Sequence, residues 1–361
     1  MKLMDTLYVH ALKPILFQMH PDTMHRWFIT IGEVTGKCRI TRTLLSALYE
    51  YRGRDISKTV DGILYRTPVL LSAGFDADGR LTRILRHLSF GGEEIGSTTA
   101  YVCEGNSRPH MTRLIRNKSL VVYKGLKNAG VDALIARLQH TPRTPDYVLG
   151  ISIARTNTKE SCADNTAGIA DFVLSYKKLN AANIGDYYTI NISCPNAFAG
   201  ETFNTPELFT QLLSELAKIP TQKPVYIKMP INHTWDEFKK LLEIADQHNF
   251  VRGLVIGNLN KHYGDLDYPE DGPKEFRGGL SGKPCFALSN NLIRKTREAY
   301  HDRFTIIGVG GIFTPEDAME KFEAGADLIQ LITGMVFNGP GLMQDICTTY
   351  EKQKRGKRIY S

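Results

Sequence analysis

The stretch FTIIGVGGI at 304–312, followed by DLIQLI at 327–332 running into Thr333–Gly334, decides the fold. Each is a short, almost unbroken apolar run, the pattern of a strand buried on both faces of a sheet. Each ends in glycine, and residues 315–324 between them carry helical spacing. Glycine lets backbone N–H groups approach phosphate oxygens closely, and the start of a following helix adds a favourable dipole. Two such corners after successive strands are the usual phosphate grip of a parallel barrel. Gly310, Gly311, Thr333 and Gly334 are therefore candidate phosphate ligands, with Gly282 of GGLSG (278–282) as a further backbone donor. The plainer reading of these glycines is tight turns alone.

Outward from this corner the strand–helix alternation holds along most of the chain. Strands are predicted at 69–75, 92–98, 147–154, 187–193, 224–229, 253–258, 304–309 and 327–332. Helices are predicted at 124–139, 163–180, 205–218, 235–247, 286–300 and 315–324. Eight such units close into a (β/α)8 TIM barrel, an α/β fold, more readily than they form an open sheet. Residues 60–67 read as a hairpin plugging the barrel's bottom. Long connections at 99–123, 194–205 and 259–284 lie where such barrels keep lids and substrate contacts.

The barrel is assigned to 46–361 and an N-terminal helical extension to 1–45. The extension reads as two helices. The first aligns Leu3, Leu7, Tyr8, Ala11, Ile15 and Leu16. The second is capped by Asp22, stopped by Gly36 and striped with Met24, Trp27, Phe28, Ile31 and Val34. Residues 1–58 hold nine Lys/Arg against five Asp/Glu. A basic segment with an apolar stripe lies on an anionic bilayer surface or packs on the barrel, and both readings stay open.

Composition excludes other classes. The chain has 45 Lys/Arg and 38 Asp/Glu, a net charge of +7, without a basic run interleaved with aromatics, so nucleic acid is not an expected partner. The six cysteines show neither a CxxC pair nor metal-ligand spacing, so no metal is expected and a reducing compartment is. No 18-residue apolar run and no signal segment is present. The expected location is the cytoplasm, with 1–45 peripheral on the inner face of a membrane under the bilayer reading.

The predicted strand ends are polar: Ser72–Ala73–Gly74, Gly96–Ser97–Thr98, Ser152, Asn191–Ile192–Ser193–Cys194, Lys228 and Gly257–Asn258. Polar groups at buried strand ends cost stability unless something there uses them. Lys228 is a fixed cation at the barrel mouth, suited to negative charge on a cofactor; its alternative is a snorkelling lysine. Cys194, just before Pro195 and Asn196, brings a thiol to these strand ends; a buried structural cysteine is its plainer reading.

Six motifs in order now carry a resemblance: AGFDADG (73–79), EEIGSTT (93–99), NISCPN (191–196), IKMP (227–230), GGLSG (278–282) and IIGVGGI (306–312). Together they resemble the dihydroorotate dehydrogenase family over essentially the whole chain. FQMHPDTMHRW (17–27) is similar to the entry segment of its membrane-associated, quinone-reducing branch. The resemblance implies an FMN-dependent CH–CH dehydrogenase of pyrimidine biosynthesis that oxidises dihydroorotate to orotate. Hydride passes to FMN and electrons go on to a quinone. It implies flavin contacts from Ala73, Gly74, Ser97, Ser152, Asn191, Lys228 and Gly257. The phosphate falls to Gly282, Gly310, Gly311, Thr333 and Gly334, the base to Cys194, and substrate hydrogen bonds to Asn191, Asn196 and Asn258. Arg113 matches an arginine at the quinone-tunnel mouth; a surface arginine is the alternative.

The pattern also breaks. The quinone-reducing branch carries serine at the base position, where this chain has Cys194. The family's lysine in AGLDKDG is replaced by Ala77, and its NRMGF by Val122–Leu126 (VYKGL). Ser152 and Gly257 replace an asparagine and a threonine beside the flavin. Tyr123 and Lys124 become the residues expected at the substrate, with Lys124 supplying the cation that Ala77 lacks. These changes leave two further readings: a divergent homologue acting on another pyrimidine-like or enoyl substrate, and a non-catalytic flavin- or membrane-associated partner protein.

Overall fold

The computed structural model describes residues 6–197, 202–274 and 278–359. Leu3 of the expected first helix and parts of two long connections (198–201 and 275–277) lie outside them. A hairpin of β1 (Lys58–Val60) and β2 (Ile63–Tyr65) leads into the barrel. The barrel strands are β3 (Val69–Leu71), β4 (Gly92–Thr98), β7 (Val148–Ile153), β8 (Tyr187–Asn191), β9 (Val225–Met229), β10 (Val251–Ile256), β12 (Thr305–Val309) and β13 (Leu328–Leu331). They pair in parallel in that order, and β13 returns to β3 to close the ring. All eight predicted strands are present, each within a few residues of its expected bounds.

The barrel is filled, not hollow. Leu70, Val148, Tyr187, Tyr226, Val255, Ile307 and Leu328 form one buried cluster with Val60 and Tyr65 of the hairpin, so the hairpin seals the bottom as expected. Above that layer Glu94 accepts from Thr189 Oγ1 at 2.9 Å and Gln330 Nε2 at 3.0 Å inside the ring. The larger apolar core lies between the strands and their outer helices.

Several local expectations need correcting. The extension holds a wide turn at Tyr8–Leu12, then α1 (Lys13–Gln18), α2 (Pro21–Lys37) and α3 (Arg39–Tyr49). His20, not Asp22, caps α2: its ring accepts from the Asp22 N–H at 3.2 Å, because Pro21 already occupies the first helical position. Gly36 does not stop α2. It sits buried inside the last turn, where Arg83 and Ile84 pack close against its bare Cα. The third helix was not foreseen, and it crosses the expected boundary at 45/46. The predicted helix 124–139 begins only at Val131, because the chain first bends through Gly125, Leu126 and Gly130, all with positive φ. The connection 99–123 contains β5 (Met111–Leu114) and β6 (Ser119–Val122), which form a small antiparallel sheet with β11 (Gly279–Leu280) over the barrel mouth.

Candidate active site

At the carboxyl ends of the strands lies a cavity of about 550 Å³, within the ~300–1,000 Å³ usual for small-molecule and cofactor sites. It gathers Ala73, Gly74, Ser97, Asn191, Cys194, Asn196, Lys228, Gly257, Asn258, Gly282, Gly310, Gly311, Thr333 and Gly334 on one wall system. Lys124 and Arg113 also line it. Two expected residues do not. Ser152 stands one layer back, its hydroxyl 2.7 Å from Ser97 Oγ. Tyr123 is turned from the cavity while its N–H bonds His110 O at 2.6 Å, so Val122 and Lys124 face inward on either side of it.

The corner after β12 and β13 is built from backbone. Gly310 and Gly311 have φ of +104° and +76°, a region L side chains rarely adopt. A Cβ on Gly311 would stand 2.4 Å from Phe286 Cβ, and one on Gly334 only 1.8 Å from Ile312 O. Among the described residues the N–H groups of Gly282, Gly311 and Gly334 meet no acceptor, while Thr333 Oγ1 lies 2.8 Å from Ser281 Oγ. Unsatisfied amides around a bare-Cα cradle are what a phosphate needs.

The floor is a side-chain network. Asn191 donates to Ser97 Oγ at 2.9 Å and accepts from the Ser193 N–H at 3.2 Å. Ser193 Oγ donates to Lys228 O at 2.9 Å, and Asn258 Nδ2 donates to Ser193 O at 2.7 Å. Asn258 Nδ2 also donates to Ser193 Oγ at 2.8 Å, so its two hydrogens are spent. Among the described residues only Asn191 of this pair keeps a free N–H for a ligand, while Asn258 Oδ1, which accepts from the Leu259 N–H, keeps a lone pair. At Gly74 an added Cβ would meet nothing within 4 Å, so the loop presents bare backbone to open space where a flat ring fits. Burial lowers the Lys228 pKa, against which Glu94 below and a Cys194 thiolate beside it favour the charged ammonium. The residues thus fit a flavin: a phosphate cradle, a flat backbone shelf and a cation at the ring.

Another edge of the cavity is held by other contacts. Asn196 Nδ2 donates to Val122 O at 2.8 Å, and Asn106 Nδ2 donates to Asn196 O at 2.9 Å, fastening the lid loop to β6. Lys124 Nζ donates to Gly74 O at 3.0 Å; burial lowers its pKa, opposed by Asp78, Asp22 and Asp76. Behind this edge is a second, polar cavity of about 400 Å³ that the sequence did not announce. The two share His25, Phe75, Ala77, Met111, Lys124 and Lys127 as lining, with the short Ala77 among them. Asp22 Oδ1 is buried there without a partner among the described residues.

The main cavity also runs out beneath the extension as an apolar arm, past Phe17, Met24, Phe28, Ile31, Ile84 and Leu85. Its polar points are few. Arg113 Nη1 donates to Met19 O at 2.6 Å and its guanidinium stacks on Phe17, while its buried Nε has no partner among the described residues. His25 Nε2 lies 2.8 Å from Phe75 O, and burial pushes its pKa down to about 3, so the ring is neutral. Its position in the Met24–Phe28–Ile31 stripe was the overlooked clue: a histidine on an apolar helix face. On the same extension Trp27 (54%), Val34 (62%) and Ile40 (79%) stay exposed. Among the described residues no helix is long and apolar enough to cross a membrane, and no cluster of metal-ligating side chains occurs. All six cysteines are free thiols.

Comparison with known proteins adds the following. The family model for dihydroorotate dehydrogenase matches residues 56–353. A protein of Thermosynechococcus vestitus named dihydroorotate dehydrogenase (quinone) is 31% identical over 353 residues, covering 94% of each chain. One of Christiangramia forsetii with the same name is 31% identical, over 94% of this chain and 97% of its own. A crystal structure of the Eimeria tenella enzyme DHODH in complex with ferulenol superposes with a TM-score of 0.81 at 20% identity, covering 95% of both chains, and so shares the fold.

Proposed function

The chain belongs to the dihydroorotate dehydrogenase family, which is flavin-dependent, and on that premise we propose that it oxidises dihydroorotate with FMN and delivers the electrons to a quinone. The observation that carries this reading is the convergence of Cys194, Lys228, three asparagines and the glycine corner on one cavity. FMN, when bound, supplies the hydride acceptor. Gly282, Gly310, Gly311, Thr333 and Gly334 hold its phosphate through backbone N–H groups and a hydroxyl. Ala73, Gly74, Ser97, Asn191 and Gly257 would shelve its ring, with Ser152 bracing Ser97 at 2.7 Å, and Lys228 would hold a positive charge beside that ring. Cys194 Sγ takes the substrate's C5 proton. Asn191, Asn196 and Asn258 orient the ring of the substrate, and Lys124 meets its carboxylate.

The apolar arm suits a quinone, with Arg113 Nε and neutral His25 as its hydrogen-bonding points. The exposed Trp27, Val34 and Ile40, on a segment with excess Lys/Arg, support residues 1–45 lying on an anionic membrane surface, from which such an acceptor enters. A second reading keeps the flavin but changes the substrate. It is favoured by the polar cavity beside Ala77, which leaves room for a bulkier pyrimidine-like or enoyl compound. Anaerobic mixing separates them: dihydroorotate is expected to bleach the bound flavin, and a soluble short-chain quinone to restore its colour. Flavin that ignores dihydroorotate yet is reoxidised by quinone after photoreduction rejects the first reading for the second.

A further inference from the structure

Lys321, on the helix Pro315–Glu323 that follows the glycine corner, is fully buried, and nothing in the chemistry above uses it. Its ammonium donates to Ser289 Oγ at 3.1 Å and Asn290 Oδ1 at 2.7 Å, and lies 5.2 Å from the Phe286 ring centroid. All three residues belong to the first turns of the helix Phe286–Tyr300, the end at which the helix dipole is positive. A cation there has the wrong sign for the helix, and both of its hydrogen bonds go to neutral oxygens. Asp317 and Glu320 face it from its own helix, but each is engaged elsewhere: Asp317 Oδ2 takes the Phe313 and Thr314 amides, and Glu320 Oε1 takes Asn290 Nδ2. Cys285, facing it from the turn before the helix Phe286–Tyr300, has its thiol pushed up to about 12 by burial and is neutral. Burial pushes Lys321 itself down to about 7.

The geometry ties this pocket to the corner. A Cβ on Gly308 would lie 2.7 Å from Lys321 Cδ, so the lysine stem runs directly along the β12 backbone. Gly310 and Gly311 are backed in the same way by Cys285 and Phe286, at 2.8 and 2.4 Å from an added Cβ. The lysine stem thus lies against the strand that runs into the cavity-lining Gly310 and Gly311, with Cys285 and Phe286 packed behind those two glycines. Charges separated by protein rather than water are weakly screened.

We propose that Lys321 is the buried counter-charge of the flavin phosphate, a positioning residue that acts across the GVGG turn without touching the phosphate. This rests on the FMN reading. The phosphate favours the charged ammonium, so binding draws a proton onto Lys321. FMN affinity is then full near pH 7 and falls as the pH rises from there toward the higher pKa of the bound state, by at most about tenfold per pH unit. The phosphate's own second ionisation, near ~6, lies below that window.

The test is fluorescence-quenching titration of the flavin-stripped full-length protein with FMN and with riboflavin, at pH 7, 8 and 9, for wild type and Lys321→Met. The expected result is an FMN affinity that declines with pH in the wild type and is about tenfold weaker and pH-independent in the variant. Riboflavin, lacking the phosphate, is expected to bind both proteins equally at every pH. Equal losses for the two flavins in the variant would make Lys321 a packing residue and overturn the proposal. So would a wild-type FMN affinity that stays flat from pH 7 to 9, a result that stands even if the variant fails to fold. Failure of the wild type to bind FMN at any pH overturns the functional reading itself.

Discussion

The corner after β12 and β13 and the edge formed by β6 with the Ala77 loop line one cavity, but they are made of different parts. The corner works through amides and missing Cβ atoms; its specificity resides in where the main chain passes. The edge works through Lys124, Asn196 and the absent bulk at Ala77, all carried on loops. Main-chain sites change only by failing, because almost any side chain at Gly311 or Gly334 collides with a neighbour. Side-chain sites can be retuned one residue at a time while the barrel stays as it is. The substrate half of such a site can therefore be altered one side chain at a time, while the glycine corner cannot.

Substitutions at three positions press on that division. Cys194→Ala is expected to lower kcat by ~10²–10⁴ while leaving flavin content unchanged. Cys194→Ser should recover part of the rate with its optimum at higher pH, since a hydroxyl ionises less readily than a thiol; stopped-flow flavin bleaching measures both. Gly311→Ala, at φ +76° and against Phe286, is expected to weaken FMN by roughly 10–100-fold through backbone strain. The protein that does retain flavin should keep its KM for dihydroorotate, as paired flavin titrations and steady-state assays would show. Lys124→Met is expected to do the reverse, raising that KM about tenfold through loss of a charge-assisted hydrogen bond and leaving FMN affinity alone. If Lys124→Met moves flavin affinity and KM together, the two halves are not independent and the contrast fails.

Much of this could be read before the structure. Strands buried on both faces announce themselves as apolar runs, and the glycines of 308–311 and 333–334 are visible because backbone sites need particular residues. Pro21 would have corrected the cap of α2, since a proline that opens a helix puts the cap at His20. Tyr123 falls outside the cavity lining because an extended run alternates, Val122 and Lys124 sharing one side and Tyr123 taking the other. Gly36 misled for a different reason: its smallness serves close contact with Arg83 and Ile84, and sequence alone does not distinguish that use from a helix stop. The second cavity had no local signature at all. It arises from α2, the Ala77 loop and the chain after β6, brought together only by the fold.

The hairpin at the barrel's bottom has a consequence for how the molecule assembles. Val60 and Tyr65 share one cluster with residues from seven of the eight barrel strands, from Leu70 of β3 to Leu328 of β13. Lys58 reaches Asp327 at 2.8 Å, and Asp61 accepts from Tyr226 OH at 2.7 Å. The stopper cannot seat until nearly the whole chain has arrived, because its partners lie up to about 270 residues away. Such distant contacts carry a large closure entropy and slow the search for the folded state. Once made, they stitch the first strands to the last, so barrel opening and stopper release become a single event and the ring does not unzip strand by strand.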